Sequence, residues 1–275
     1  HAERAEDCGG STLVTHAFLY DGLAMNDMNV VSGCSSRAWG INDRSFIVGW
    51  AYPPDVSVVR GFLFGDSHLV DLELLAWTTH ECVSWEVNMA TQVVGSVQKF
   101  DGNYCWYPFF WQDATGNGSN DIGEMITLGN LGTNGFFGSA LDINDGGQVV
   151  GGADVTSYDP KQVRHAFTVN PDNGAWYRDT NGDLINDLMI DLGTLGGDWA
   201  EAWDINESGV IVGYSTLADN MTTNAFLWEN GAMTNLNNFI PTNSGWVLQE
   251  ARAINDAGEI AGFGVVSGQV HGFLL

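Results

Sequence analysis

The stretch AWDINESGVIVG (residues 202–213) joins two short apolar strands through a polar turn. A β-branched residue precedes Asn206, and Gly213 follows that asparagine seven positions later. Asn, Ser and Gly between two runs of strand-forming residues are typical of a tight β-turn. The stretch therefore predicts one antiparallel hairpin.

Four other segments repeat the pattern, each with a β-branched residue before its Asn and a Gly seven positions after it. They are AWGINDRSFIVG, SWEVNMATQVVG, ALDINDGGQVVG and ARAINDAGEIAG, with their asparagines at Asn42, Asn88, Asn144 and Asn255. A strand with a central Phe alternates with these hairpins, as in HAFLY, GFLF, PFFW, HAFTV, NAFLW and HGFLL. Each repeat is therefore predicted to contain about four short strands, and no helical periodicity is found.

Repeats of this length and composition predict an all-β fold, namely a β-propeller of five blades with about four strands each. Residues 16–275 form the single propeller domain, with five repeats and a C-terminal strand. Six Phe strands accompany only five hairpins. Residues 1–15 are therefore expected to close the ring or to donate a strand to a neighbouring molecule.

The repeated hairpin, together with HAFLW-like and DLGTL-like segments, resembles the extracellular HAF-repeat family. The resemblance covers nearly all of residues 16–275, and the second repeat departs most because Met89 replaces the acidic turn residue. It implies secretion and a propeller-like β-fold. It supplies no catalytic residues.

Charge and composition narrow the class of protein. Nine Lys and Arg face 34 Asp and Glu, for a formal net charge of −25, so nucleic acid and anionic membranes should be repelled and divalent cations attracted. No apolar run is long enough to span a membrane. The chain begins HAERAED without Met, which a removed signal peptide would explain and a sequence that begins within a longer chain would explain equally. We expect an extracellular protein.

Two nonapeptides share the pattern D-x-x-G-[ND]-x-x-N-D: DATGNGSND (113–121) and DTNGDLIND (179–187). Both fall between a Phe strand and the next strand, in the two longest repeats. Oxygen-bearing residues at alternate positions of a tight loop are the ligands that Ca²⁺ prefers. The sequence therefore predicts two calcium loops, although turns rich in Asn, Gly and Asp also occur without an ion.

The predicted ligands have the same offsets in both loops. Side chains at offsets 0, 2, 4 and 8 would bind, with a backbone carbonyl at offset 6, and Glu124 would add a bidentate carboxylate to the first loop. The first set is Asp113, Thr115, Asn117, Ser119, Asp121 and Glu124. The second is Asp179, Asn181, Asp183, Ile185 and Asp187, where Ile190 takes the place of the final Glu.

Four cysteines suit disulfides in an oxidising compartment, and no C-x-x-C motif points to zinc. Cys82 and Cys105 flank one predicted hairpin and should come to the same end of it, which favours a Cys82–Cys105 bond. Cys8 would then pair with Cys34. Four cysteines allow three connectivities, so the other pairings stay open.

Repeated polar residues are expected to serve the fold rather than catalysis. His16, His165 and His271 recur before the Phe strand, and acidic residues recur in the turns (Asp43, Asp145, Glu207, Asp256). Trp39, Trp85 and Trp203 are expected to pack between blades. A glycosidase would need converging carboxylates, for which Glu73, Glu86 and Glu250 are candidates. His1 could start a copper site, but no second unique histidine motif accompanies it.

These observations favour a secreted calcium-binding structural or adhesive protein without chemistry of its own, such as the subunit of an extracellular filament or surface layer. It would associate with itself through strand edges or the N-terminal segment. A carbohydrate-binding propeller with glycan partners and a propeller glycoside hydrolase are the two alternatives.

Overall fold

A computed structural model of the chain describes residues 2–4, 14–28, 30, 35–53, 58–72, 81–100, 104–132, 135–156 and 161–275. These residues confirm the all-β prediction, since their one helical element is a 3-10 turn at Leu236–Phe239. Across the same ranges, no helix has the length and apolar character needed to cross a membrane. The chain divides into two compact units, residues 1–104 with 109–126 and residues 105–108 with 127–275.

The first unit carries two four-stranded sheets built from the first two repeats. In the first sheet the strand order is β5-β6-β7-β8, and in the second it is β12-β11-β10-β9. The strands are β5 Ser36–Ile41, β6 Ile47–Ala51, β7 Arg60–Gly65, β8 His68–Asp71, β9 Cys82–Val87, β10 Val93–Phe100, β11 Tyr104–Trp111 and β12 Met125–Thr127. Four residues of β11, 105–108, are grouped with the second unit.

Two short hairpins precede these sheets. Strand β1 (Ala2–Arg4) pairs with β2 (Val14–His16), and β3 (Phe18–Tyr20) pairs with β4 (Met25–Asp27). The predicted N-terminal segment, residues 1–15, therefore pairs partly within its own chain, through Ala2 opposite His16. The remainder of that segment, residue 1 and residues 5–13, lies outside the described residues.

The second unit contains the last three repeats. Its larger sheet has the order β13-β14-β15-β17-β18-β19-β20, with β16 also paired to β15, and its smaller sheet is β21-β22-β23. The strands are β13 Gly138–Ile143, β14 Val149–Thr156, β15 Val163–Val169, β16 Met189–Gly193, β17 Gly196–Ile205, β18 Ile211–Leu217, β19 Thr223–Glu229, β20 Ala232–Asn235, β21 Trp246–Ile254, β22 Ile260–Val266 and β23 Gln269–Leu274.

The sheets do not reproduce five separate blades. Strand β15 of the third repeat pairs in parallel with β17 of the fourth through Arg164 and Trp199, so two predicted blades share one mixed sheet. No sheet among the described residues closes on itself. The all-β class is confirmed, whereas the five-bladed propeller stays a prediction.

The five repeat hairpins share one irregularity, which explains their glycine. In each, the strand register shifts three residues before the asparagine, at Trp39, Trp85, Leu141, Trp203 and Arg252. Beside each bulge, a carbonyl of the bulged strand lies close to the repeat glycine on the opposite strand. A Cβ added at the repeat glycine would lie about 2 Å from that carbonyl oxygen, as at Gly213, 2.0 Å from Glu201 O. A side chain therefore has no room there.

The repeat asparagine holds its own turn and contacts the next repeat. In the fourth repeat, Asn206 Oδ1 accepts backbone N–H groups from Ser208 at 3.1 Å and Val210 at 2.9 Å. Its Nδ2 donates to the carbonyl of Asn255, one repeat later, at 3.2 Å. The same link joins Asn144 to Asn206 (3.1 Å) in the second unit and Asn42 to Asn88 (2.8 Å) in the first. Asparagine is suited to both bonds because its amide carries an acceptor and a donor.

Apolar residues between the hairpins and the Phe strands form the core of each unit. Ile47, Ala51 and Phe62 belong to one cluster in the first unit. In the second unit, Phe226 packs with residues of the third and fourth repeats, and Leu248 packs with residues of the fourth and fifth. The two clusters of the second unit thus form where successive repeats meet, which suits a chain whose single repeats are too small to bury their own apolar face.

The structure differs from the predicted Cys82–Cys105 disulfide. Cys82 is a free thiol with no solvent exposure, and its sulfur lies 3.0 Å from the position that a Cβ on Gly61 would occupy. Its side chain therefore packs inward against β7, and burial raises the pKa of this thiol. Cys105 is buried as well. Cys8 and Cys34 lie outside the described residues.

Candidate metal-binding loops

Both nonapeptides lie where the sequence predicts, between the third and fourth strands of a repeat. The first, residues 113–121, joins β11 to β12 in the first unit, and the second, residues 179–187, joins β15 to β16 in the second unit. Neither contains a helix or a strand. Each is therefore a long polar loop held at both ends by an antiparallel pair.

The two loops wrap around their first aspartate in the same way. Asp113 accepts N–H groups from Gly116 at 2.6 Å and Gly118 at 2.8 Å, one on each carboxylate oxygen. Asp179 accepts from Gly182 at 2.7 Å and from Leu184 at 3.0 Å, also one on each oxygen. Because the same offsets are used, the repeated motif produces a repeated backbone conformation.

Backbone dihedral angles show the same correspondence. The fourth position of each loop has positive φ, 70° at Gly116 and 78° at Gly182. The sixth does too, at 73° for Gly118 and 66° for Leu184. A leucine in this left-handed region is strained, since its Cβ crowds the following carbonyl. The wrap of the second loop is therefore maintained at an energetic cost.

The fifth position also behaves alike in the two loops. Asn117 Oδ1 accepts the N–H of Ser119 at 2.8 Å, and Asp183 Oδ1 accepts that of Ile185 at 2.9 Å. The carbonyl oxygens of Ser119 and Ile185, predicted as ligands, accept no hydrogen bond from any described residue. Asn181 Oδ1 accepts from the N–H of Asp183 at 2.9 Å. Side-chain oxygens at alternate positions thus face the interior of each loop.

The ninth positions differ between the loops. Asp121 turns inward, with Oδ2 accepting from Thr115 Oγ1 at 3.3 Å and from Asn117 Nδ2 at 2.7 Å. Thr115 Oγ1 also lies 3.3 Å from Asp113 Oδ1. Asp187 instead accepts from Thr180, at 2.9 Å from N and 2.7 Å from Oγ1. The first loop therefore gathers its predicted ligands more closely than the second.

Glu124 does not have the geometry predicted for a bidentate ligand. Its Oε1 accepts N–H groups from Ala114 and Thr115 at 2.9 and 3.1 Å, and its Oε2 accepts that of Asp121 at 2.9 Å. The side chain is buried, so these three donors offset its desolvation. Glu124 ties the two ends of the loop together, and its oxygens are occupied by the backbone.

The carboxylates are spread along the loops rather than gathered at one point. In the described ranges, no three Asp, Glu, His or Cys side chains come close enough together to hold a metal ion. Their oxygens accept the N–H groups of the loop instead. A calcium ion would require Asp183 and Asp187 to turn toward Asp179, and Asp121 toward Asp113, which exposed side chains can do by changing rotamer.

The electrostatics of both loops favour ionised carboxylates. Burial raises the pKa of Asp113, but the N–H groups of Gly118 and Gly116 outweigh it and hold that pKa below its usual value. The Thr180 hydroxyl and N–H lower the pKa of Asp187. Burial, followed by the charges of the second loop's three aspartates, raises the pKa of Tyr177. Tyr177 therefore senses the charge of that loop.

The asparagine at the eighth position of each nonapeptide anchors its loop, a role that was not predicted from the sequence. Asn120 accepts from the indole N–H of Trp111 at 3.0 Å and donates to Asp71 O in β8 at 3.1 Å. Asn186 is fully buried and donates to Leu128 O at 3.2 Å and to Trp176 O at 2.8 Å. Both motifs show this asparagine beside their last aspartate, and its presence in both was the available signal.

The three repeated histidines make local contacts with other side chains. His16 in β2 pairs with Asp27 in β4 at 2.8 Å, and His165 pairs with Asp191 at 2.9 Å across the neighbouring strands β15 and β16. His271 packs against Trp246. Trp39 and Trp85, from successive repeats, have ring centroids 5.3 Å apart, which confirms the expected packing between repeats.

The acidic candidates are also engaged locally. Glu86 accepts the N–H of Val87 at 3.0 Å, and Glu250 forms an ion pair with Arg252 at 2.5 Å. Burial raises the pKa of Glu250. Glu73 and His1 lie outside the described residues.

Two of the repeated acidic turn residues act between repeats. Glu207 Oε1 accepts the N–H of Asp145, one repeat earlier, at 2.9 Å. Asp256 Oδ1 accepts that of Glu207 at 2.9 Å. The turn acids of the last two repeats therefore join neighbouring hairpins.

Comparison with known proteins adds no assignment. No protein-family model matches the chain, and no curated protein is significantly similar to it. The resemblance to the HAF-repeat family stays a prediction that depends on the hairpin and Phe-strand motifs quoted above.

Proposed function

We propose that this chain is a secreted, calcium-binding structural protein whose five repeats form a β-propeller of the HAF-repeat type. It has no chemistry of its own, and its repeats provide a rigid scaffold for assembly outside the cell. The observation that carries the proposal is the common wrap of the two nonapeptide loops. Two loops in different repeats adopt the same left-handed positions, and each wraps N–H groups at the same offsets around its first aspartate, Asp113 or Asp179.

Calcium has a physical role in this setting. The second loop places three aspartates within nine residues of a chain that already carries a net charge of −25. A divalent cation would reduce their mutual repulsion and replace weak hydrogen bonds by ligand bonds. The strained backbone of Leu184, at positive φ, would then hold the loop in the conformation that binds the ion.

Assembly would use an exposed strand edge. Strand β23 is the edge of the smaller sheet in the second unit, and Val270 and Leu274 on it are 66% and 71% exposed. Exposed apolar strand edges readily accept another strand. Part of the N-terminal segment already pairs in β1–β2. We therefore favour the β23 edge over donation of that segment, and calcium would screen the charge between molecules.

The test of calcium binding is thermal unfolding with and without EGTA, combined with mass spectrometry of the metal content. A ligand present at one hundred times its Kd stabilises the folded state by about 2.7 kcal/mol. For a chain of this size, that corresponds to a Tm about 5–10 °C higher. We expect bound calcium in the native protein and a Tm that falls by this amount in EGTA.

Two matched variants separate the ion from the turn. Asp179→Asn removes a predicted ligand charge from the second loop. Asp219→Asn is the control, because Asp219 also accepts N–H groups, from Met221 and Thr222, in a turn of the same unit. The EGTA effect should shrink in the first variant and persist in the second. An unchanged Tm in EGTA, with no calcium in the protein, would exclude the proposed ion.

A further inference from the structure

The first unit contains a pocket of about 560 Å³ that no role described so far explains. This volume is within the range of small-molecule sites, about 300–1,000 Å³. Three parts of the unit enclose it: the β7–β8 hairpin, the turns of the first two repeats, and the first nonapeptide loop. It therefore lies where two successive repeats and an inserted loop meet.

The floor of the pocket is apolar. Leu63 and Val70 come from β7 and β8, and Trp111 ends β11. All three are buried. Phe46 forms part of the wall, where its ring packs over the backbone of Gly65, too close to leave room for a Cβ. Because Leu63, Val70 and Trp111 expose little surface, the apolar face of a ligand would pack mainly against the half-buried Phe46 ring.

The rim is polar and carries charges of both signs. Arg44 lies over the Phe46 ring at 5.0 Å and donates to Thr91 Oγ1 at 3.4 Å. Asp66 and Asp113 supply carboxylates. Gln112 Oε1 accepts from Gln92 at 3.2 Å, and its amide nitrogen donates to no other described residue. The rim thus combines donors and acceptors above an apolar floor.

The nonapeptide loop is held over the pocket by residues of the first repeat. His68 Nε2 donates to the carbonyl of Gly118 at 2.8 Å, and Asn120 Nδ2 donates to Asp71 O at 3.1 Å. In each bond, one residue lies in β8 (His68 or Asp71) and the other lies in the loop (Gly118 or Asn120). Both bonds therefore join the first repeat to the second. The wall is therefore fixed by specific bonds rather than by loose packing.

We propose that this pocket binds a neutral saccharide of one or two sugar rings. A pyranose presents an apolar face of C–H groups and a rim of hydroxyls that both donate and accept, which matches the floor and the rim. Asp66, Asp113 and the net charge of −25 oppose an anionic ligand. This binding activity goes beyond the proposed structural role and does not depend on calcium binding.

The test measures binding of defined disaccharides to the intact chain. Cellobiose, maltose, lactose and N,N′-diacetylchitobiose are the neutral probes, and digalacturonate is the anionic one. Saturation-transfer NMR identifies bound probes, and isothermal titration calorimetry measures their Kd. We expect saturable binding of at least one neutral disaccharide and weaker or no binding of digalacturonate.

Variants place the binding in the pocket. Arg44→Gln and, independently, Gln112→Glu each remove a donor from the rim and should raise Kd by about tenfold or more. Arg37→Gln is the matched control, since Arg37 also lies over an aromatic ring, that of Trp50, in the same unit but outside the pocket. Circular dichroism identifies any variant that fails to fold, and the other rim variant then gives the comparison.

The proposal is overturned by any of three results. The first is that none of the four neutral disaccharides binds saturably. The second is that a folded rim variant binds as tightly as the control. The third is that digalacturonate binds more tightly than every neutral probe.

Discussion

Replacing Asn206 by Ala should destabilise the second unit more than the same change at Asn255. Both asparagines accept two turn N–H groups through Oδ1, at 2.9–3.1 Å. They differ in the amide nitrogen, because that of Asn206 donates to the next repeat and that of Asn255 donates to its own Glu259 at 2.6 Å. Asn206 is buried and Asn255 is exposed.

The magnitude follows from these contacts. Each intramolecular hydrogen bond contributes about 1 kcal/mol net, and a buried group left without its partner costs about 1–3 kcal/mol. Asn206→Ala loses two turn bonds and the link to Asn255 at a buried site, so we expect a loss of about 3 kcal/mol. At Asn255 water replaces the lost partners, and we expect about 1 kcal/mol.

The assay is thermal unfolding followed by circular dichroism. A difference of about 2 kcal/mol between the two variants corresponds to about 4–8 °C in Tm. Asn206→Asp isolates the link between repeats, because it keeps the turn acceptor but replaces the donor by an oxygen facing the carbonyl of Asn255. Equal losses for the two Ala variants, or full stability of Asn206→Asp, would refute the role of this asparagine between repeats.

Three further predictions follow from single contacts. Gly213→Ala should lower the free energy of unfolding by about 3 kcal/mol or prevent folding, because the added Cβ would lie 2.0 Å from a carbonyl oxygen. Gly272→Ala should be tolerated in the same thermal assay, because the atom nearest to its Cβ would be 3.7 Å away. Calcium should lower the pKa of Tyr177 toward its ordinary value, seen as an ultraviolet titration shift that Tyr177→Phe abolishes, because the ion offsets the aspartates that raise it. Val270→Glu on the β23 edge should reduce calcium-dependent oligomers in light scattering, whereas Met221→Glu, at an even more exposed apolar turn residue, should not. Equal oligomers in both variants would argue against this edge.

The sequence predicted the elements with a local signal. The hairpin around each repeat asparagine, and the position of both nonapeptides between two strands, follow from turn residues and β-branched runs. Asn206 was recognised as a turn residue for the same reason. Its bond to Asn255 was not, because a contact between residues of successive repeats depends on how the hairpins pack.

The misses have the same physical origin. Glu124 has the spacing of a calcium ligand, but burial directs its oxygens to backbone N–H groups. Asn120 and Asn186 occupy an offset that calcium chemistry does not use, so their anchoring roles were invisible. Cys82 flanks a hairpin as a disulfide partner would, yet its side chain points into the core.

The shared sheet of the third and fourth repeats illustrates a further limit. The parallel bridge between Arg164 and Trp199 joins strands that belong to different sequence repeats. Arg164 also forms an ion pair with Glu201 at 2.9 Å, so the contact combines backbone pairing with buried charge. The periodicity of the sequence shows where each repeat lies, but it does not predict which strands of two neighbouring repeats pair.

The most direct test of the central claim is calcium titration of the metal-free chain by isothermal titration calorimetry, with Asp113→Asn and Asp179→Asn as variants. Each variant removes the aspartate around which one loop wraps. We predict two saturable calcium sites per chain, of which each variant loses one and the double variant loses both. Absence of saturable calcium binding, or binding that neither variant changes, would contradict the account.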